Sequence, residues 1–225
     1  MITKQEYNAI RKAWPVQKRD GKLLEPYQHW MRLNFRLRYF CKYVDLFKGH
    51  DVVELGCNAG MYGYEISKVS TSYTGVDISE RFIAEANVTK TFMENKNVYF
   101  VCSSVKELCR KRRAAKLAGE AVPEYTALFA SFALYHLSDK ELAMLETDIL
   151  PSCQLVVIQT RTAKRKAMSN HNSWKFWKPK QVAAFLARSG FESEVVMGPP
   201  KPGNASSGPN FAEIIARRKT NVGEG

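Results

Sequence analysis

DVVELGCNAGMYGYEIS, residues 51–67, decides how the rest of the chain is read. A β-favouring run ends at Gly56, Asn58 and Gly60 follow at alternate positions, and a helical pattern starts directly after them. A strand that turns through such residues into a helix points backbone N–H groups and a helix N-terminus at one place, which suits a nucleotide or a carboxylate. Several cofactors share that need. The dinucleotide fingerprint would put glycine at 56, 58 and 61, whereas the chain has Gly56, Asn58 and Met61. Asn tolerates the left-handed backbone and can replace a glycine in the middle of the turn. Met61 would obstruct the close helix packing that a third glycine permits.

Working outward, short β-rich runs alternate with helical patterns: DVVELG (51–56), SYTGVD (72–77), NVYFVCS (97–103), TALFASF (126–132) and QLVVIQT (154–160). Ser138 and Glu141 form a capping box ahead of Leu142, Leu145 and Ile149. Pro179 opens a helix carrying Val182, Phe185 and Leu186, and Gly190 stops it. FESEVVMG and FAEIIARR read as an antiparallel pair, since the segment between them has no helical content. The expected fold is α/β: a doubly wound, seven-stranded, mostly parallel Rossmann-like sheet, with the ligand crevice at the strands' carboxyl ends. An N-terminal helical extension precedes it, with a short helix and then a basic, aromatic helical pattern over residues 26–46.

At 225 residues the chain fits one domain better than two. Its 34 Lys and Arg against 22 Asp and Glu give a net charge of +12, which favours polyanionic partners. Solubility is the plainer reading of that charge. Five cysteines without a CxxC pair imply a reducing compartment, and the four histidines lack the spacing of a zinc site. The expectation is no metal, no membrane and a cytoplasmic protein, because no run approaches the ~20 apolar residues of a span and the first residues lack a signal-peptide core.

The pattern Glu54-x-Gly56-x-Asn58-x-Gly60 resembles the first motif of class I S-adenosylmethionine-dependent methyltransferases, E/D-x-G-x-G-x-G. The resemblance continues in order through residues 50–200. It implies a methyltransferase domain over residues 49–220, after an extension at 1–48 and before a disordered tail at 221–225. It implies S-adenosylmethionine as cofactor, with Glu54, Gly56, Cys57, Asn58 and Gly60 around its methionine end. Asp77, ending the second strand, stands where the family's acid takes both ribose hydroxyls, which a carboxylate can accept together. Its alternative role is a helix N-cap, for which Ser79 competes. Ile78 would meet ribose and adenine. Ser104, where the family often has Asp, and Val105 would meet the adenine edge. ALFASFALYHLSD resembles the fourth-strand motif, and places Tyr135 and His136 at the acceptor, His136 as contact or base and Tyr135 as a stacking or hydrogen-bonding group. Either His136 or Asp77 can instead be purely structural. Cys153, in LPSCQ, reads as packing.

Residues 161–180 hold Arg161, Lys164, Arg165, Lys166, Lys175, Lys178 and Lys180 with no acid, interleaved with His171, Trp174, Phe176 and Trp177. After the fifth strand, such cations can hold phosphates and such rings can stack on bases. Arg161, Lys164, Arg165, Lys166, Trp174 and Trp177 are therefore candidate nucleic-acid contacts, with RNA ahead of DNA. The tryptophans can equally be core or a lid over a small molecule. Tyr27, Trp30 and Arg38 are candidates to close over the site, and RKRRAAK at 110–116 reads as a solvated helix face. Residues 126–196 also resemble the tRNA wobble-uridine carboxymethyltransferases, which use a carboxylated cofactor, but no carboxylate clamp is identifiable. The reading is a methyltransferase acting on nucleic acid. The alternatives are a small-molecule methyltransferase and a non-catalytic subunit that binds cofactor or RNA.

Overall fold

The strands form where β-branched and aromatic residues run together, and the central ones are covered on both faces while the two edges are more open. In the computed structural model they are β1 (Asp51–Leu55), β2 (Ser72–Asp77), β3 (Val98–Cys102), β4 (Ala127–Ser131), β5 (Leu155–Arg161), β6 (Phe191–Met197) and β7 (Phe211–Arg218). Residues 1–15, 36–162, 178–198 and 211–219 are described, together with the backbone of 18–19 and 22–23, which make a two-residue antiparallel ladder. The seven strands make one sheet in the order β3-β2-β1-β4-β5-β7-β6. All described pairings are parallel except the two made by β7, which lies antiparallel to both β5 and β6. A dinucleotide-binding sheet runs 3-2-1-4-5-6. Here β7 is inserted between β5 and β6, which is possible because β6 and β7 need no helical crossover.

The chain divides into two compact units, Met1–Ser104 and Val105–Gly225. In the first, β1 and β2 are almost wholly buried, with Val52, Val53, Leu55, Tyr73 and Val76 at 2% exposure or less. Each such apolar side chain contributes roughly 1.5–3 kcal/mol of transfer free energy. Three helices belong to this unit: α1 (Lys4–Ala13), α2 (Met61–Ile66) and α3 (Glu80–Lys90), with α2 and α3 against β2 and α1 against α3. α1 begins with a capping box between Thr3 and Glu6 and buries Tyr7 and Ile10. Residues 36–40 are helical and lead to a 3-10 turn, Val44–Phe47, that buries Phe47. Residues 26–35 of the expected aromatic helix lie outside the described residues, and so do 221–225.

The second unit carries α4 (Val105–Leu117), α5 (Asp139–Asp148) and α6 (Pro179–Arg188) around β4 to β7. Ser138 and Glu141 make the reciprocal cap of α5, at 3.3 and 2.9 Å. Pro179 occupies the first turn of α6, and Gly190 follows its end at φ +84°. The basic helix α4 departs from a purely solvated face at Arg112, which is 5% exposed and turned inward. Its guanidinium donates to the Pro123 carbonyl and lies 4.5 Å over the Tyr125 ring, while Arg110, Lys111, Arg113 and Lys116 face solvent.

Candidate functional site

Gly56, Asn58 and Gly60 all have left-handed backbone, at φ +72°, +50° and +74°, so the turn after β1 bends at every second residue as the sequence pattern asks. It is tied to the end of β2: the Val76 carbonyl accepts from Gly56 N–H at 2.8 Å and from Cys57 N–H at 3.1 Å. Gly60 caps α2, a helix of only six residues. Two glycines are also forced by neighbours. A Cβ on Gly60 would stand 2.6 Å from the Phe100 ring, and one on Gly75, which pairs with Phe100 across the sheet, 2.7 Å from it. The close packing denied to Met61 is supplied at Gly63, where a Cβ would meet the Tyr73 ring at 2.5 Å, and Met61 itself is buried.

Asp77 reaches back into this turn. Its Oδ2 accepts from Asn58 N–H at 3.0 Å and its Oδ1 from Ser79 N–H at 2.9 Å. The cap of α3 is Ser79, whose hydroxyl accepts from Phe82 N–H at 3.4 Å, so Asp77 does not serve as the cap. Each carboxylate oxygen retains a second acceptor position. Glu54 is fully buried, accepts a hydrogen bond from the Tyr73 hydroxyl through Oε2, and has no hydrogen-bond partner at Oε1. Burial holds its carboxyl protonated well above the usual range against the opposing Tyr73 hydrogen bond, with the nearby Asp77 charge as a smaller raising influence. Burial likewise pushes the Cys57 thiol upward, which leaves it unreactive. The Asn58 side-chain oxygen is also buried without a partner. The turn thus offers oxygen acceptors and suits a ligand rich in donors, such as hydroxyls or an ammonium group.

The end of β3 lies beside that of β2. Ser103 N–H donates to the Asp77 carbonyl at 2.9 Å, and the Cys102 thiol lies 3.7 Å from the Ile78 carbonyl. Ile78, 77% exposed, presents an apolar face next to Asp77. Ser104 follows, half-buried. The first unit therefore gathers Glu54, Gly56, Cys57, Asn58, Gly60, Asp77, Ile78 and Ser104 at consecutive strand ends. Val105 begins α4 in the second unit and is buried.

In that second unit, Leu134–His136 form a 3-10 turn after β4, with Tyr135 buried, His136 exposed and their rings 4.4 Å apart. Phe132 precedes it with φ +57°, an uncommon backbone for a bulky residue. The Arg161 guanidinium lies 5.2 Å over the Phe132 ring and 6.0 Å from the Tyr135 ring, and its Nε is buried with no partner among the described residues. Beneath them Ser131 donates to Gln159 at 2.8 Å, and Gln159 donates to the buried Glu213 at 2.5 Å. Lys164, Arg165, Lys166, Trp174 and Trp177 lie outside the described residues, as do Tyr27 and Trp30, while Arg38 is exposed on the helical segment 36–40. Cys153 is fully buried, with its thiol pushed up to about 12 by desolvation, and packs as expected. Among the described residues no cluster of metal ligands occurs and no helix is long and apolar enough to cross a membrane.

No family model and no curated protein matches this sequence. Solved structures do. The magnesium protoporphyrin IX methyltransferase from Synechocystis PCC 6803 with bound S-adenosylmethionine superposes with a TM-score of 0.59 at 12% identity, covering 96% of this chain and 92% of that one. An S-adenosylmethionine-dependent methyltransferase from Archaeoglobus fulgidus gives 0.59 at 17% identity over 83% and 94%. The methyltransferase domain of bacterial CtHen1 gives 0.58 at 16% identity over 84% and 100%. The chain has the methyltransferase fold.

Within this methyltransferase fold, the sequence pattern found the turn and its acid but missed what supports them. Tyr73, Gly63, Gly75 and Phe100 were legible only as strand and helix residues. Their places on β2, β3 and α2 signal burial, not the contact each one makes. Phe132 and the Gln159–Glu213 pair carried no signal beyond a polar residue inside each of two apolar strands.

Proposed function

We propose that the protein is an S-adenosylmethionine-dependent methyltransferase that acts on nucleic acid, RNA ahead of DNA. One observation carries the cofactor half: a carboxylate, Asp77, is fixed at the end of β2 by N–H groups from the glycine turn and from the next helix, with two acceptor positions left over. Those positions fit the two ribose hydroxyls. The orphan side-chain oxygen of Asn58 suits a donor at the methionine end, held with Glu54, Gly56, Cys57 and Gly60. Ile78, Ser104 and Val105 would flank the adenine, and the exposure of Ile78 supports this.

Bound S-adenosylmethionine supplies a methyl group on a sulfonium, which an acceptor attacks in line. The protein's own tasks are to align the acceptor and, where needed, to remove its proton. Tyr135 and His136 are the proposed acceptor contacts, with His136 solvent-facing. Arg161, whose guanidinium lies near the Phe132 and Tyr135 rings and whose buried Nε has no partner among the described residues, supports an anionic acceptor such as a nucleic-acid phosphate. The net charge of +12 points the same way, and Lys164, Arg165, Lys166, Trp174 and Trp177 are proposed to extend the contact. The methyltransferase domain is proposed to span residues 49–220, with residues 1–48 as its helical extension.

Calorimetry with S-adenosylhomocysteine tests the cofactor, and a complete lack of heat at millimolar ligand would reject it. Transfer of labelled methyl from S-adenosylmethionine to bulk RNA and DNA, repeated over a salt series, tests the acceptor. Nucleic-acid affinity should fall by orders of magnitude between low and moderate salt as counterions compete. Labelling of neither polymer would favour a small-molecule acceptor or a non-catalytic role.

A further inference from the structure

The glycine turn is also held from a side that the sequence motif does not include. Trp14, which caps the end of α1, is 5% exposed, and its indole N–H donates to the Thr89 hydroxyl on α3 at 3.0 Å. Thr89 is fully buried, and its hydroxyl lies 2.8 Å from the Ala59 carbonyl and 3.0 Å from the Glu85 carbonyl. A hydroxyl has one proton to give. The Glu85 carbonyl stands four residues back in the same helix, where Thr89's own backbone N–H serves it. The Ala59 carbonyl lies inside the turn, and Ala59 is only 2% exposed, so a buried acceptor there calls for that proton. Trp14 therefore donates to Thr89, and Thr89 donates to Ala59, between Asn58 and Gly60.

The other end of α1 grips the helix that leaves the turn. Ile2 N–H donates to Glu65, and the Tyr64 hydroxyl donates to Glu6 at 3.3 Å, both partners being on α2 and at the start of α1. Trp14 also meets Tyr7 edge to face, with ring centroids 6.3 Å apart, which limits how the indole can turn. α1 is thus fastened on both sides of residues 56–60.

We propose that Trp14 and Thr89 are positioning residues for the cofactor: their relay fixes the Ala59 carbonyl, and with it the left-handed bends at Asn58 and Gly60 that present the turn to its ligand. This rests on the reading of that turn as the S-adenosylmethionine site. Neither side chain touches the ligand in this scheme. The relay acts on affinity by keeping the turn in its binding shape before the ligand arrives, so that less ordering remains to be done on binding.

Three variants of the full chain test it, with S-adenosylhomocysteine as the probe in calorimetry and with thermal unfolding of the ligand-free proteins recorded alongside. Thr89→Val keeps the shape and removes the hydroxyl. Trp14→Phe keeps a ring and removes only the donor. Thr89→Ser restores the hydroxyl. At a temperature where every variant is folded, Thr89→Val should weaken binding on the order of tenfold and Trp14→Phe about threefold, as expected for lost hydrogen bonds. Thr89→Ser should return to within about twofold of the unaltered chain, because the donor and acceptor are back. A merely structural role would lower the melting temperature of Thr89→Val without moving its affinity, and that result would overturn the proposal. So would a Thr89→Ser protein binding no better than Thr89→Val. If Thr89→Val does not fold, Trp14→Phe decides, and unchanged affinity there counts against the relay. Failure of the unaltered chain to bind is a different result: it rejects the cofactor reading and takes this inference with it.

Discussion

Two turns follow two strands, β1 and β4, and each contains a residue with left-handed backbone that is not glycine: Asn58 at φ +50° and Phe132 at φ +57°. They reach that state by opposite means. Asn58 accepts it at low intrinsic cost, sits between glycines, and donates its N–H to a carboxylate. Phe132 has no such tolerance. It is held by its N–H bond to the Gln159 carbonyl at 2.9 Å, by the Arg161 guanidinium over its ring and by the edge of Phe211, 6.3 Å away. The first turn is built from residues that choose the shape, and the second is forced into it by what surrounds it. Strain of the second kind costs of order 1–3 kcal/mol and persists where it serves a site.

Four changes would break or sharpen that contrast, and the largest effect belongs to the first turn's acid. Asp77→Ala should weaken S-adenosylhomocysteine binding by about a hundredfold or more, since charged hydrogen bonds to turn and ligand go together, while circular dichroism stays native. Affinity that survives would remove Asp77 from the site.

Next is the pH response of Glu54. Its carboxyl is held above its ordinary value of 4.5 by burial, so the folded chain keeps a proton that the unfolded chain releases. Its contribution is complete below that ordinary value and is lost as pH rises toward the folded one. Stability should therefore decline with rising pH by up to about 1.4 kcal/mol per unit from this group. Glu54→Gln should flatten the slope measured by urea unfolding across the range just above 4.5. An unaltered slope would mean that the folded protein holds Glu54 ionised.

For the second turn, Phe132→Gly relieves the backbone but removes the ring beneath Arg161. Turnover should fall about tenfold with cofactor affinity kept within about twofold, as misplaced positioning groups lose rate without losing ligand. Equal losses in both would make Phe132 a general packing residue. The smallest effect is expected at Asn58→Gly, within about 0.5 kcal/mol in unfolding free energy, because the gain in backbone ease offsets the added chain entropy. A loss several times larger would show that the Asn58 side chain, not its backbone, holds the turn.

The same contrast explains which features are legible in the sequence. All seven strands were legible: both-face burial writes a continuous apolar run in the central ones, β-favouring residues mark the more open edges β3 and β6, and β6 and β7 were legible as an antiparallel pair because PPKPGNASSGPN offers no crossover helix. Ser138, Pro179 and Gly190 acted through their own backbone chemistry and marked helix ends correctly. Glycines and Asn58 advertised the first turn for the same reason. Phe132 did not, since nothing in a phenylalanine announces a positive φ that its neighbours impose. The role of α1 was hidden for a related reason: Trp14 meets Thr89 across a gap of 75 in sequence, and amphipathic spacing reports which face is buried, not what it touches. Arg112 misled in the opposite direction, as a cation in a basic run that turned inward onto Tyr125.

Phe100 fills the hollow left by two missing side chains, at Gly60 on one side and Gly75 on the other. These positions lie on separate elements, yet they amount to one choice. Alanine at either glycine alone would collide with the ring, and a smaller residue at 100 alone would open a void, so single steps away from this arrangement all lead downhill in stability. Paired replacements, an alanine at 60 together with a trimmed residue at 100, should prove milder than the sum of their parts, although the backbone at 60 still resists. A lineage carrying this turn would thus find its sequence locked at three separated sites, conserved as a set by space filling even where no one of them meets a ligand.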